Sequence, residues 1–441
     1  MKRVLRVCPA PSMYPKIREK FSLDTETFEE QKKIYEKENI VLPGSLSSEI
    51  SKYGFICLDM LYPDNSYICK WLAENTSRLT FSENVRENFL EVVKIFDPDI
   101  VFYFAGASFH MNREFRDEIT TRLGTKKKCF HVVYWGDELN EKLYSYSNYF
   151  GNIDYALTSS EKYSKFFTEI GVKNKVIGNM FDDKVDYDKS EVSKDIDVLF
   201  CGTTGYLIPE HLDRYNLLAK LCRETKIKIY TDDLIRLNID TKRKQEIKIL
   251  YYLPLFFLKL FKKILNKFFS NEVIELIIRE KNKNISLEIV LAKESTQHPD
   301  IEIFNNLKPL SRIFKKQFFE PKILVSEYMR LLKRAKIVVN IHRNEPCDIG
   351  NVRCYETTGA GSFLITDRGS ELNYFFKENQ DFVSFNGEKD LISKINYYLA
   401  NDVERKKIEV SGKKTCLSKH TTTQRAKQIV ESFEELFAAY K

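Results

Sequence analysis

Apolar residues in this chain gather into short runs bounded by polar or small residues. The runs alternate with stretches whose apolar positions recur every three or four residues. Short apolar runs of this kind fit buried strands. They fall at Val4–Val7, Gly54–Leu58, Ile100–Phe104, Lys128–Trp135, Asp154–Thr158 and Lys175–Asn179 in the first half. In the second half they fall at Ile196–Cys201, Lys226–Tyr230, Ile337–Ile341, Ser362–Thr366 and Phe382–Phe385. Helical spacing marks Ser82–Phe96, with Phe89, Val92, Val93 and Phe96 on one face, and Arg214–Cys222, Pro321–Arg334 and Leu391–Leu399. Thr25–Asn39 is charged and reads as a surface helix, and Glu371–Phe376 as a short one. Ser159-Ser160-Glu161 starts a helix that runs to Ile170 and stops at Gly171. Thr421–Tyr440 reads as a long final helix, with Thr421 or Thr422 opening a capping box to Gln424 or Arg425. Strand alternating with helix predicts open parallel sheets of the α/β class.

The pattern divides the chain. Residues 1–181 make one α/β domain. Asp182–Lys194 is charged, lacks apolar periodicity and reads as a linker. A fresh domain runs over 195–420, with an insertion at about 240–320. Residues 421–441 form the terminal helix.

Inside that insertion, Ile249–Phe269 breaks the pattern. It is too interrupted by lysine to span a membrane, which takes roughly 20 mostly apolar residues. At helical spacing Lys259, Lys262, Lys263 and Lys267 share one arc. Leu258, Leu260, Phe261, Ile264, Leu265, Phe268 and Phe269 fall opposite. Pro254 suits a first helical turn. A basic amphipathic helix of this kind lies in an anionic membrane interface. Leu258, Lys259, Phe261, Lys262, Lys263, Leu265, Lys267 and Phe268 are the expected contacts. The other reading is a helix packed on its own domain with its lysines in water.

Charge sharpens the point. The net charge of +7 is modest for 441 residues. Residues 226–322 hold 20 Lys and Arg against 12 Asp and Glu, so this one segment carries the whole excess. Its basic residues are interleaved with aliphatic rather than stacking side chains, and no nucleic-acid recognition motif occurs, so nucleic acid is not an expected partner. The nine cysteines form no C-x-x-C pair, and no histidine sits in a zinc motif, so no metal site is expected. Without a leader pattern at Met1–Tyr14, reduced thiols in a cytoplasm are the expectation.

The richest chemistry lies in Ala335–Asp367, where strand, loop, short helix and strand make a βαβ unit. The helix, Asn351–Thr358, is stopped by Gly359-Ala360-Gly361. Its N-terminus points N–H groups at the loop above the strand ends, where phosphate binds readily. Arg353 lies in its first turn, and a guanidinium fork fits phosphate oxygens. Glu356, one turn further on, suits the two hydroxyls of a ribose. The other reading is a local i, i+3 pair on a solvated face. Gly202-Thr203-Thr204-Gly205 follows another strand and lets backbone approach a ligand closely. It is not a P-loop, because no Gly-Lys-Ser/Thr follows. Strand-end loops at Gly106–His110 and Gly136–Glu138 are where an open sheet binds ligands. His110 and Asp137 are therefore the candidate catalytic residues, against ordinary structural roles for both.

The run N-I-H-R, then N-x-R-x-Y-E-x-x-x-x-G and a strand ending in Asp, resembles the C-terminal domain of group 1 glycosyltransferases, closest to the spore maturation protein CgeB-like branch. The resemblance covers Asp195–Lys441 apart from the insertion. It implies the GT-B architecture, two Rossmann-like domains facing a cleft, here with a helical insertion in the second. It implies a nucleotide-sugar donor held by the C-terminal domain, with Gly202, Thr203, Thr204, His342, Arg343, Asn351, Arg353, Tyr355 and Glu356 at the donor. The glutamate would hold the ribose and the basic residues would face the diphosphate. A glycan or lipid-linked acceptor would bind the first domain, and the final helix would pack back on it. Many related retaining enzymes carry two glutamates separated by seven residues; here the position eight before Glu356 is Asp348. Asp195-Ile196-Asp197 precedes its strand rather than following it, so a metal-held diphosphate is not expected. Helix N-termini and arginines would take that role, with no metal or cofactor required. The expected function is sugar transfer in surface polysaccharide or glycolipid assembly, in the cytoplasm or peripheral on the inner membrane face. The alternative is a membrane-associated binding protein that keeps the fold but transfers nothing.

Overall fold

Eight parallel residue pairs tie Lys2–Pro9 to Phe55–Tyr62, joining the first two apolar runs at one edge of a sheet. In this computed structural model the described residues are 1–9, 18–21, 26–38, 43–78, 80–104, 112–124, 128–136, 149–184, 192–206, 211–231, 246, 249–250, 252–265, 267–269, 273–274, 277–278, 281, 308–321, 324–342, 350–367 and 371–440. The first series of elements is β1 (Lys2–Pro9), α1 (Phe28–Lys37), α2 (Leu46–Ser51), β2 (Phe55–Tyr62), α3 (Asn65–Asn75), α4 (Val85–Phe96), β3 (Ile100–Phe104), α5 (Arg113–Leu123), β4 (Phe130–Trp135), β5 (Tyr155–Thr158), α6 (Glu161–Glu169) and β6 (Lys173–Val176). Its six strands are parallel, in the order β2-β1-β3-β4-β5-β6.

The second series opens with β7 (Ile196–Cys201), α7 (Leu212–Glu224), β8 (Ile227–Tyr230), α8 (Leu255–Leu260), α9 (Lys262–Leu265), α10 (Leu310–Ile313) and β9 (Phe318–Phe319). It continues with α11 (Val325–Arg334), β10 (Ala335–Asn340), α12 (Val352–Ala360), β11 (Phe363–Asp367), β12 (Val383–Phe385), α13 (Gly387–Ala400), α14 (Asp402–Lys419) and α15 (Thr422–Ala439). The six strands here run β12-β11-β10-β7-β8-β9. Compactness divides the chain at the middle of this series, into one unit of 1–199 with 322–441 and another of 200–321.

Both sheets reverse their direction of winding. In the first, the chain goes from β1 out to β2 and then crosses back to β3. In the second, β7 to β9 build one side and β10 to β12 the other, so the switch point lies between β7 and β10. Ligands of open α/β sheets bind at the carboxyl ends of strands flanking such points.

The strands are apolar on both faces because helices cover both. Val4, Leu5 and Val7 of β1 and Ile337, Val338 and Val339 of β10 are wholly buried. Helix α15 completes the core of the first sheet. Its Ala426, Ile429, Val430, Phe433 and Leu436 pack there, and the Phe433 ring meets those of Phe55 and Phe102. Thr421 is its N-cap, and the Gln424 side chain accepts the Thr421 N–H at 3.0 Å.

Several elements differ from the sequence pattern. The single amphipathic helix expected over Ile249–Phe269 is two short ones, α8 and α9, parted at Phe261. Helix α14, like α2, α3 and α5, had no counterpart among the expected elements. Its buried positions, Arg405, Ile408, Glu409, Gly412 and Cys416, have helical spacing but mostly polar identities.

Candidate functional site

At the switch point of the second sheet, β10 ends on Asn340 and His342 stands just beyond it. Asp367, the last residue of the adjacent β11, accepts the His342 backbone N–H at 2.8 Å. Its other oxygen lies 2.5 Å from ring atom Nδ1. On the far side of the ring, Nε2 accepts the Asn351 backbone N–H at 3.3 Å. That acceptance uses the Nε2 lone pair, which leaves the Nδ1 edge to Asp367. Burial alone lifts the Asp367 carboxyl, but the adjoining His342 ring, the hydrogen bonds from His342 and the Thr366 hydroxyl outweigh it. The carboxyl is held below its ordinary range.

Asn340 gathers the rest. Its Oδ1 accepts from Asn351 Nδ2 at 3.1 Å and from Arg353 Nη1 at 3.3 Å. Its Nδ2 lies 3.2 Å from the Thr366 hydroxyl. Asn351 is the N-cap of α12, yet its side chain makes no cap bond because Asn340 holds it. The first turn of α12 is thus left uncapped by that side chain.

Helix α12 carries Arg353 and Glu356 one turn apart on a half-buried face. The hydroxyl of Tyr328, on α11, donates to Glu356 Oε2 at 2.9 Å. Burial pushes the Glu356 carboxyl up, and the charge of Arg353 and the Tyr328 hydrogen bond only partly oppose it. A carboxylate held by one oxygen keeps the other for a ligand hydroxyl.

The carboxyl edge of the first sheet reaches this helix start. The Tyr134 hydroxyl, on β4, donates to Asn179 Oδ1 at 2.8 Å, and Asn179 Nδ2 donates to the Gly350 carbonyl at 2.9 Å. The same residue's carbonyl accepts from Arg425 Nε of α15 at 3.0 Å. Here the chain crosses between the sheets twice. Phe181 and His420 bond through backbone at 2.8 Å, and Thr422 and Phe181 at 3.1 Å. His420 donates Nε2–H to the Phe375 carbonyl and lies 2.8 Å from Arg425 Nη2 by its Nδ1. Burial, then the Arg425 charge, pushes its pKa down to about 4, so it is neutral.

The structure therefore brings His342, Asn351, Arg353 and Glu356 together. Tyr355 does not join them. A helix turns 100° per residue, and Tyr355 points to the crossing, buried against Phe375, Phe376 and His420. His110, Asp137, Arg343 and Asp348 lie outside the described residues. Gly202, Thr203 and Thr204 belong to the unit 200–321. There Arg214 Nη1 donates to the Thr203 hydroxyl at 2.9 Å and to its carbonyl at 3.2 Å, fixing the turn. Gly202 and Gly205 take φ of 144° and 85°, the left-handed region that favours glycine. Asp195 pairs with Arg334 and Asp197 with Lys336, so this acidic pair is spent on structure.

Of the residues expected at a membrane, Leu258 and Leu265 are buried in the unit's own core with Leu250, Val273, Ile274 and Ile277. Phe261 and Lys262 are half-buried, and Lys259, Lys263, Lys267 and Phe268 are exposed. No helix among the described residues is long and apolar enough to cross a membrane.

Asn179 and Tyr134 were not singled out from sequence, and Asn340 entered only as the first residue of the N-I-H-R run, with no role given to it.

Residues 294–431 match a family described as glycosyl transferase-like. No curated protein matches the chain. Among solved structures it is similar to HepE of Anabaena in complex with UDP-glucose, at a TM-score of 0.54 and 10% identity, covering 99% of this chain and 100% of that one. It is also similar to HepE in complex with UDP and glucose, at 0.51 and 11% identity over 98% and 100%. Sucrose-phosphate synthase from Thermosynechococcus elongatus aligns at 0.53 and 8% identity over the full length of both. At such identities the structures speak for the fold, and the matched domain speaks for the chemistry. The chain is a glycosyltransferase with the GT-B fold, its glycosyl transferase-like domain built on the strands and helices that carry Arg353 and Glu356.

Proposed function

We propose that the chain transfers a sugar from a uridine-diphosphate sugar, of the kind seen in HepE, to a glycan or lipid-linked acceptor in surface polysaccharide or glycolipid assembly. One observation carries the reading: Arg353 and Glu356 share the first turns of a helix that starts at the sheet's switch point. Glu356, with Oε2 taken by Tyr328, offers Oε1 to the ribose hydroxyls. Arg353, the α12 N-terminus and Arg343 balance the diphosphate.

In the reaction the bond from the sugar's anomeric carbon to the diphosphate oxygen breaks, and an acceptor oxygen bonds to that carbon. The acceptor's proton passes to a base, for which His110 and Asp137 are the proposed groups. The leaving diphosphate gains negative charge, which positive groups already in place stabilise without reorganising. This arrangement runs without a metal ion. The CgeB-like branch is the proposed place of the chain within the glycosyltransferases, and the inner face of a membrane its proposed place of work.

The test is a thermal-shift titration with uridine diphosphate and its sugars. A ligand at 100 times its Kd stabilises the folded state by about 2.7 kcal/mol. Arg353→Ala should abolish the shift while melting near the parent temperature without ligand. No shift of the parent with any nucleoside diphosphate or its sugar would overturn the reading.

A further inference from the structure

The unit 200–321 carries an apolar ridge turned to solvent. Phe256, Leu260, Ile264 and Phe268 follow one another at intervals of four residues and are 70, 73, 53 and 72% exposed. Tyr252, four residues earlier, is 78% exposed. Six of the eighteen exposed large apolar side chains among the described residues fall between Ile249 and Phe268. Such side chains scattered singly need no explanation, but a contiguous group marks a contact surface.

The ridge is held rigidly. Hydrogen bonds from Leu258 to Pro254, Phe261 to Phe257, Leu265 to Phe261 and Phe269 to Leu265 carry helical turns across the break between α8 and α9. The opposite face, Leu258 and Leu265 with Phe257 and Phe269 beside them, is anchored on Val273, Ile274 and Ile277. The unit's own core thus uses one face and leaves the ridge outside it. At 100° per residue, Lys259, Lys263 and Lys267 form a third row, beyond the ridge from the buried face. No Asp or Glu occurs between Glu246 and Glu272.

We infer that this ridge docks flat on an anionic lipid bilayer, with Phe256, Leu260, Ile264 and Phe268 entering the acyl boundary and Lys259, Lys263 and Lys267 meeting the headgroup charge. The charge pattern selects the occupant. A second copy of the chain would set lysine row against lysine row. A neutral apolar groove would offer the lysine row no negative charge. A bilayer of acidic lipids supplies an apolar layer and a sheet of negative charge at the spacing that lysine stems bridge. The excess of basic residues over 226–322 adds long-range attraction to the same surface.

The inference deepens the membrane part of the proposed function and stands apart from its donor chemistry. The experiment is sedimentation of the full chain with vesicles of phosphatidylglycerol and phosphatidylcholine, against phosphatidylcholine alone. The parent should bind the mixed vesicles, bind the neutral ones at least about tenfold more weakly, and lose affinity in high salt. Lys259→Gln with Lys263→Gln and Lys267→Gln should weaken binding about a hundredfold, at about fivefold per lysine. Phe256→Ser with Leu260→Ser and Phe268→Ser should weaken it at least about tenfold. These side chains are exposed, so the fold should be retained. Leu260→Trp adds a reporter to a chain whose two tryptophans are buried, and its emission should shift to the blue on mixed vesicles. A parent that stays in the supernatant, a serine variant that binds unchanged, or a Leu260→Trp emission that does not move would each overturn the inference. The thermal shift with uridine-diphosphate glucose, read on the same variants, should be unaltered. That readout separates failure of the docking surface from failure of the donor reading.

Discussion

Replacing Glu356 by Gln separates the cost of its position from its use. The parent carboxyl is lifted because burial disfavours its charged form, more than Arg353 and Tyr328 favour it. Glutamine keeps the shape and still accepts from Tyr328, but carries no charge to bury. The linkage has a definite sign. A carboxyl whose folded pKa lies above its unfolded value favours folding only while protonated. That contribution is present below the ordinary glutamate range and is lost as pH rises through the raised folded value. At pH 4 parent and variant should therefore melt together. At pH 8 the variant should be the more stable, by about 0.5–2 kcal/mol, the usual gain when a functional group under strain is relieved. Donor binding should move the other way. Hydrogen bonds to a charged partner are worth about 1.5–3 kcal/mol, so uridine-diphosphate sugar should bind about 10- to 150-fold more weakly. Differential scanning calorimetry at the two pH values and titration calorimetry at pH 8 give both numbers. A melting difference that ignores pH, or a variant that binds donor like the parent, would refute the reasoning.

Tyr328→Phe removes the donor to Glu356 Oε2, and because that bond lowers the carboxyl's pKa its loss should raise it further. The donor KM should rise about 2- to 10-fold with kcat little changed. Asp367→Asn should cost about 1.5–3 kcal/mol at pH 7 by urea midpoint. Since the native carboxyl is held below its ordinary range, that cost should fade as pH falls from about 4 through the lowered folded value. Gly359→Ala would set a Cβ 2.5 Å from the Phe181 ring where the chain crosses between the sheets, and should cost about 1–3 kcal/mol in the same measurement.

Most of the sheet framework was legible because buried parallel strands are apolar on both faces. Ile100–Phe104 and Ile196–Cys201 coincide with the runs read from sequence. Periodicity failed where burial is polar. Helix α14 turns Arg405, Glu409 and Gly412 inward, and Arg405 is satisfied there by Glu409 and the Tyr398 carbonyl. Gly412 lies so close to the Asp381 carbonyl that a Cβ would sit 2.4 Å from it. Such a stripe has the helical period without hydrophobic signal. At the site, spacing placed Arg353 and Glu356 on one helix face. It did not reveal that Tyr355, between them in sequence, faces the crossing, or that Tyr328 reaches Glu356 from another helix. Those depend on contacts distant in sequence. For Ile249–Phe269 the period gave two faces, whereas the folded unit has three: a buried row, an exposed apolar row and a lysine row.

The polar groups under α12 hold the start of this short helix in place. Asn340, His342, Asn351 and Asp367 bond one another, so each of these four side chains has a partner and the network is not a liability. Each bond also has a direction. Asp367 fixes the ring, the ring fixes the Asn351 N–H, and Asn340 fixes both the Asn351 side chain and Arg353. A misplacement of about 1 Å can cost a hundredfold in rate. The orientation of Arg353 is therefore set one layer below it by Asn340, and that of Glu356 by Tyr328. Asn179 ties the same helix start, through Gly350, to Tyr134 on the first sheet and to Arg425 on the terminal helix. Both chain crossings thus converge on the residue that precedes Asn351. The place where the chain crosses between the two sheets and the start of α12 are thus bonded to each other.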